Sequence, residues 1–505
     1  MEESAAEVLI IGAGPTGLMT ACELVRHGVR PRIIDQCAEP HTQTRATGVQ
    51  PGALEVMARA GLAEAFVERS VPVMGLRVLD SAWREAFVVR PVLPETPYPF
   101  TCSLAQWQTE EILNARLAAE GIPVERGVTA SEIVSNDDGA RVVCERADGS
   151  SFVVEAEYLI GAGGAHSPVR EALHENLEGI TYPKRYFVAD IRTTGVHQGD
   201  HLLNVAVTPA GMLMMAELPL GRTLLVCDLP EGIEPDGEIG LDDVLCTLAG
   251  HLVTPIAADD VRWASVYRTH RRMAPKFRIG RSFLAGDAAH LCSPLGGEGM
   301  NSGFLDAASL AWMLGAVLRR QGRPELLDAY DPERQDIARQ VLASSEGMYD
   351  FYYSLAALAG RGEPIRALPE DPTRHVTSPA MLDLALRESP ILGFHGTRIG
   401  FGMPGPGNRF VARTRLKGPL HHLLVFADLS DGERRELSSR WAHALEVVDG
   451  RAFCEPSACG VSPGGAALVR PDGYLGFLLD PWDATAFDGY FSRLFRPADN
   501  GVQCL

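Results

Sequence analysis

The first 36 residues constrain this chain more than any other stretch. Residues 8–11, Val-Leu-Ile-Ile, are the β-branched apolar run of a strand buried on both faces. The run passes directly into GAGPTG, which sets Gly12, Gly14 and Gly17 in the spacing GxGxxG. Residues 18–27 carry helical apolar spacing and stop at Gly28, and a second apolar strand at 32–34 ends on Asp35. Each part has a task in holding a dinucleotide. The first glycine permits the tight turn, the second lets a pyrophosphate reach the backbone, and the third allows close helix–strand packing. The helix N-terminus faces the phosphates and Asp35 accepts a ribose hydroxyl. Pro15 and Thr16 inside the turn, and Gln36 after the acid, join these residues as candidate cofactor ligands. A lone GxGxxG is weak evidence. Strand, glycines, helix, strand and acid in order predict a dinucleotide-binding α/β unit. NAD and FAD both use it, so the choice rests on other residues.

The bulk properties narrow the class. A chain of 505 residues exceeds one ordinary core, so two or three domains are expected. A net charge of −19 opposes a nucleic-acid partner, and no apolar run reaches the ~18 residues that span a bilayer. The ten cysteines show neither CxxC nor metal-ligand spacing; Cys454 and Cys459, the closest pair, are expected as reduced thiols. The acidic start MEESAAEV leads straight towards a strand and is not a secretory signal, which predicts a cytoplasmic protein.

The stretch RSFLAGDAAHLCSPLGGEGMNSGFLDAASLAWML, residues 281–314, selects the cofactor. A short strand ends in Gly286-Asp287, a Pro/Gly loop follows, and a long helix begins near Met300. Asp287 at a strand end suits a ribose or ribityl hydroxyl. The run Gly296-Gly297-Glu298-Gly299 exposes backbone N–H groups at a helix start, where negative charge on a reduced flavin edge is stabilised by roughly 0.3–1 kcal/mol.

With these two motifs some 270 residues apart, the chain resembles the class A FAD-dependent aromatic hydroxylases, relatives of para-hydroxybenzoate hydroxylase, in the polyketide and phenol hydroxylase branch. Gly286, Asp287, His290, Pro294, Gly296, Gly297, Gly299, Met300 and Asn301 match that family's late motif, and LLDAYDPERQ, residues 326–335, looks like the end of its flavin domain. The resemblance implies that Arg45 and Gln106 contact the flavin cofactor. It makes Asp287, Pro294, Gly297, Gly299, Met300 and Asn301 further cofactor contacts. It places Pro294, Gly296 and Gly297 at the flavin's reacting edge, with no protein nucleophile. His290 is then an orienting residue of the loop. Two positions depart from the family. Glu298 stands where many relatives carry glutamine, and in the middle loop YLIGAGGAHSPVR Gly163 replaces an aspartate, while Ser167 and Arg170 are kept.

The resemblance also organises the chain. It implies an α/β fold with a Rossmann-like FAD-binding domain at 1–174 and 271–365. Residues 175–270 form an inserted antiparallel substrate sheet, 366–404 a linker, and 405–505 a thioredoxin-like domain without CxxC. The runs HLLNVAVTP, GMLMMAELP and TLLVCDLP carry the period-2 pattern of that sheet. Met212, Met214, Tyr182 and Tyr267 are candidate substrate contacts on it, together with Met215 and Trp83, and plain sheet core is the competing reading of the three methionines. The implied activity is a monooxygenase that uses FAD, O2 and NADPH or NADH to oxygenate an aromatic, polyketide-type natural product, as in antibiotic biosynthesis, through C4a-hydroperoxyflavin. It works as a monomer or homodimer. Gly163 keeps open an alternative, an FAD protein not reduced by a nicotinamide that acts in a non-oxygenating or cyclising step.

Overall fold

The computed structural model describes residues 2–194, 199–233, 239–365, 373, 377–396 and 403–498. Its first sheet is built on the strand Glu2–Ile11, which is longer than its apolar core alone predicts. Ser151–Gly161 and Arg32–Asp35 pair with it in parallel, one on each side. Ser282–Leu284 continues the sheet beyond Ser151–Gly161, and Val124–Arg126 beyond Arg32–Asp35. Leu9, Ile10, Ile33, Ile34, Leu159 and Ile160 are fully buried, as parallel strands covered on both faces require. The helix Pro15–Arg26 packs on this sheet beside Gly299–Leu318. Every residue from Asn301 to Ala316 is buried, so the second helix is covered on all sides and carries its few polar residues, Asp306 among them, into the interior.

The second sheet has eight strands. In order they are His290–Leu291, Ala257–Met273, Glu178–Thr194, Arg222–Asp228, Gly211–Leu218, Leu203–Thr208, Leu76–Leu79 and Glu85–Val89. The three runs expected as strands are present. The sheet is larger than the span 175–270, however, because Leu203–Thr208 pairs in parallel with Leu76–Leu79 from the N-terminal third. One face, with Val205, Met212 and Met214, packs on the long helix Tyr330–Gly360. The other, with Leu213, Met215 and Cys227, packs on the helix Leu241–His251. Covered on both sides, Gly211–Leu218 loses polar alternation and reads as a continuous apolar run.

A third sheet takes the order Gly393–Gly396, Leu475–Asp480, Ala466–Val469, His421–Val425, Leu445–Asp449. The middle pairs are antiparallel, His421–Val425 and Leu445–Asp449 are parallel, and the helices Asp431–Arg440 and Ala484–Leu494 accompany them. The runs HHLLVFAD, ALEVVDG and AALVRPDGYLGFLLD hold its strands and DGERRELSSRWAHAL its first helix, as their apolar patterns predict, but the sheet also recruits Gly393–Gly396 from the span expected as a linker. Within that span, 366–372, 374–376 and 397–402 lie outside the described residues.

Buried charge fastens this unit to the rest. Glu55, fully buried, accepts from Arg409 at 2.7 and 2.8 Å and from Arg413 at 2.7 Å. Burial pushes the Glu55 carboxyl up, but Arg413 and Arg409 outweigh it and hold it below the usual range. A second tie joins Arg470 to Glu333 through two 2.7 Å bonds, and Asp472 accepts from Arg470 and from the Trp312 indole at 3.0 Å. Removing one partner of such a pair leaves an uncompensated buried charge, at about 3–5 kcal/mol. Glu55→Ala is therefore expected to lower unfolding stability by about 3–5 kcal/mol in a urea titration. A loss within about 0.5 kcal/mol, the range of ordinary surface changes, would show that the tie is not what holds the unit.

Candidate functional site

The glycine turn has the geometry its spacing requires. Gly12 adopts φ +108°, and a Cβ there would lie 2.5 Å from the Ala162 carbonyl oxygen. A Cβ on Gly17 would come 1.9 Å from the Gly12 oxygen. Gly14 differs: nothing lies within 4 Å of a Cβ built on it, so the turn opens there onto free space. That opening lies at the N-terminus of Pro15–Arg26, with Pro15 as its first residue. Asp35 accepts the Ala13 N–H at 2.6 Å and the Cys37 N–H at 2.8 Å, which fixes its carboxylate beside the turn; Gln36 is exposed. Thr16 points away from the opening, between Gly286 and Gly303, where a Cβ would approach its hydroxyl to 2.4 and 2.2 Å.

The late loop starts from this contact. Gly286 adopts φ +60°, and its N–H donates to Asp306 at 2.9 Å. Asp306 has no exposed surface and also accepts from His290 Nε2 at 2.9 Å and Arg334 Nε at 2.7 Å. Burial raises this carboxyl, but Arg334 and then His290 overcome it and hold it at about 2. His290 thus orients the loop. Asp287 turns the other way: its side chain is exposed, yet the protein around it raises its pKa, as for a carboxyl on the floor of a cleft.

After Asp287 the chain makes a 3-10 turn at Pro294–Gly296, then Gly297 at φ +64°, then Gly299–Leu318. The first-turn N–H groups of a helix have no intrahelical acceptor, and the Glu298 side chain does not cap them. Asn301, a candidate ligand, spends its amide on the backbone: it accepts from Gln50 N at 2.8 Å and donates to Gly48 O at 2.8 Å and Gly297 O at 2.7 Å. Gln50, which no local pattern singles out, donates to Gly296 O at 3.1 Å and accepts from the Thr101 hydroxyl at 2.8 Å. Glu298 has no exposed surface, and neither of its carboxyl oxygens meets a donor in hydrogen-bond geometry among the described residues. Its carboxyl folds back over Gly296, whose Cβ would lie 2.4 Å from Oε2. Burial, weakly opposed by Ser344 and reinforced by Asp383, pushes it up to about 8.

The remaining candidates lie on the segment around Arg45 and Gln106 and on the middle loop. Arg45 is exposed, and its charge is felt by both Asp287 and Glu110. Gln106 accepts from Ala46 N at 3.3 Å and donates to Glu110 at 2.9 Å. Glu110, missed in the sequence because one acid on a helix looks ordinary, is buried with Oε2 unpaired and is pushed up to about 7 by that burial. In the middle loop, Ser167 caps the helix Pro168–Ala172 and Arg170 donates to Ala288 O at 3.3 Å and Ala165 O at 2.7 Å, tying this loop to the late one. Gly163 has φ −77°, open to any residue, and a Cβ there would meet Pro168 Cδ at 3.2 Å.

A cavity of about 100 Å³ adjoins the loop, lined by Gln50, Leu295 and Gly296, by Leu76 and Leu203 of the second sheet, and by Met348 and Tyr352 of Tyr330–Gly360. None of Met212, Met214, Tyr182 or Tyr267 lines it. Met212 and Met214 are core beneath it, in one cluster with Leu295 and Tyr352. Tyr182 stacks on Tyr349 at 4.7 Å, and Tyr267 lies 6.1 Å from the Tyr186 ring. Met215 faces the opposite side of the sheet, with Trp83 packed against that cluster.

Glu298 gives the site a pH signature. The unfolded chain releases this proton near pH 4.5 and the folded chain only near 8. Stability from this group is therefore lost as pH rises between those values, at up to roughly 1.4 kcal/mol per unit, and levels off above. Glu298→Gln, which cannot ionise, is expected to gain on the parent from about pH 5 to 8 in paired urea titrations. A gap between the two that stays constant with pH would mean Glu298 is ionised in the fold.

Comparison with known proteins agrees with this geometry. Residues 5–345 match the family described as FAD binding domain. The chain is 35% identical, over 94% of its length and 91% of the other, to 6-methylpretetramide 4-monooxygenase from Streptomyces rimosus. Among solved structures, OxyS anhydrotetracycline hydroxylase from Streptomyces rimosus aligns with a TM-score of 0.78 at 26% identity, covering 98% of this chain and 100% of that one. Aklavinone-11 hydroxylase, solved with FAD and aklavinone, aligns at 0.79 and 24% identity, covering 97% and 98%. The chain belongs to the FAD binding domain family and is an FAD-dependent monooxygenase of the aromatic hydroxylase type, with NAD(P)H as its reductant.

Proposed function

We propose that this monooxygenase oxygenates a polycyclic aromatic, polyketide-type substrate held in the cavity over Leu295 and Gly296. The observation that carries the proposal is that one cavity is walled by the loop expected at the flavin edge, by the second sheet and by Tyr330–Gly360. Two of the proteins named above are a 6-methylpretetramide 4-monooxygenase and an anhydrotetracycline hydroxylase, in keeping with this substrate class.

The residues fit FAD. Gly14 leaves room for a pyrophosphate at a helix N-terminus, and Asp35 stands beside it for the ribose. Asp287 and Arg45 line the open cleft between them and the late loop. The backbone of Gly297, Gly299 and Met300 offers N–H groups at the start of Gly299–Leu318, where negative charge on the ring is stabilised. Gln106 and Asn301 support this cleft through the backbone bonds they make. When bound, FAD supplies the redox and oxygen chemistry. The protein excludes water with Leu76, Leu203, Leu295 and Met348 and orients the ring over Gly296. Protonated Glu298 carries no charge under that loop, so it acts as the glutamine it replaces.

At about 100 Å³ the cavity is smaller than the roughly 150 Å³ that holds one benzene ring, so a multi-ring substrate has to part its walls. The free thiols of all nine described cysteines support a cytoplasmic setting, and the net charge of −19 supports a small-molecule partner over a nucleic acid. The alternative of a flavoprotein that a nicotinamide does not reduce rests on Gly163 alone, and the backbone there does not demand glycine.

Anaerobic bleaching of the bound flavin by NADPH and by NADH tests the reading. It is expected to proceed with at least one nicotinamide and to accelerate with a polycyclic phenol; bleaching by dithionite alone would reverse the choice between the readings. Gly163→Asp is expected to fold and to bleach no more slowly than the parent. Asp287→Ala is expected to purify without flavin, and a fully yellow variant would refute the role given to the late loop.

A further inference from the structure

The C-terminal unit carries a pair of thiols that the flavin site does not use. We propose that Cys454 and Cys459 are a peroxide-sensitive dithiol, which closes to an intrachain disulfide with the fold intact. Their sulfurs stand 3.4 Å apart, at the two ends of a loop that holds the single 3-10 turn Pro456–Cys459. A bonded pair needs about 2.05 Å, so a small rotation of side chain and turn brings them together.

The two thiols are not equivalent. Cys454 is partly exposed, whereas Cys459 has no exposed surface. Arg415 is fixed against the same loop, donating to Phe453 O at 2.6 Å and Ala452 O at 2.9 Å, which sets a guanidinium beside Cys454. The Cys459 S–H and that cation favour a thiolate on Cys454 against burial and the nearby charges of Glu455 and Glu95, while the proton stays on Cys459. Cys454 is thus the attacking sulfur and Cys459 the resolving one.

The chemistry balances with hydrogen peroxide as the two-electron oxidant. The Cys454 thiolate attacks one peroxide oxygen and the O–O bond breaks, giving a sulfenic acid and hydroxide. Cys459 then gives up its proton and attacks the Cys454 sulfur. The S–O bond breaks, and the departing hydroxide takes that proton as water. Two electrons have passed from the thiols to peroxide. The change is local: the next residue, Gly460, lies against Pro404, and the Glu55 ion pairs are not in the loop.

The test uses the full-length, flavin-loaded protein. After hydrogen peroxide, alkylation and trypsin, peptide 452–493, which holds both cysteines, is expected unalkylated and lighter by two hydrogens, and dithiothreitol should restore it. Cys246, the exposed free cysteine among the described residues, serves as the internal control and is expected to react at least ~10-fold more slowly. In Cys459→Ser, dimedone is expected to trap a sulfenic acid on Cys454; in Cys454→Ser, Cys459 is expected to stay reduced. Oxidation of Cys246 while 452–493 remains doubly alkylated overturns the proposal, and so does a link that forms only in urea.

Discussion

Three loops must be held in register to make this site, and one buried carboxylate holds them. Asp306 is buried inside a helix, and it takes a backbone N–H from Gly286, the ring of His290 and the guanidinium of Arg334. The first bond sets the left-handed turn that presents Asp287 to the cleft. The second orients the loop and the third fastens the next helix. Arg170 extends the network by binding Ala288 O, so the middle loop follows the late one. Thr16 wedges the first loop against Gly286 and Gly303, both of which must lack a side chain. Without Asp306, Arg334 would be a buried cation with no counter-charge, at about 3–5 kcal/mol.

The cavity depends on the same scaffold from the other side. Its floor is the turn that follows His290, and its walls come from elements distant in sequence, with Leu76, Leu203 and Met348 meeting over Leu295. Gln50 connects floor and wall by holding Gly296 O, Asn301 and Thr101 together. A polar core of this kind favours one arrangement because each member is satisfied only when all are in place. Glu298 is the exception: among the described residues its carboxyl meets no donor in hydrogen-bond geometry, and burial pushes it up to about 8.

What the sequence revealed follows from the range of the interactions. The GxGxxG turn and the Gly-Asp loop are local, so Gly12, Gly14, Gly17, Asp35 and Asp287 were legible from spacing. The C-terminal strands and helices were legible from periodicity. The strand Leu76–Leu79 fell in the span given to the FAD-binding domain because its pairing with Leu203–Thr208, at Leu76↔Leu203, leaves no local mark, and its hairpin partner Glu85–Val89 goes with it. Gln50, Glu110 and Arg334 were missed for the same reason: a polar residue announces its burial only when its partners are known. One signal was available, since an aspartate inside the apolar run GFLDAASLAWML cannot be buried there unpaired. Met212 and Met214 were open to two readings, cavity wall or sheet core, and they are core one layer beneath the cavity, because alternation tells which side of a sheet a residue faces but not how deep it lies.

The most direct test of the account follows the oxygen itself. The enzyme would be incubated with a nicotinamide, a panel of polycyclic phenols and oxygen gas labelled with the heavy isotope. A monooxygenase gives a product that carries one labelled oxygen, from O2 and not from water. A product that incorporates oxygen from solvent, or a rearranged product with no added oxygen, would contradict it.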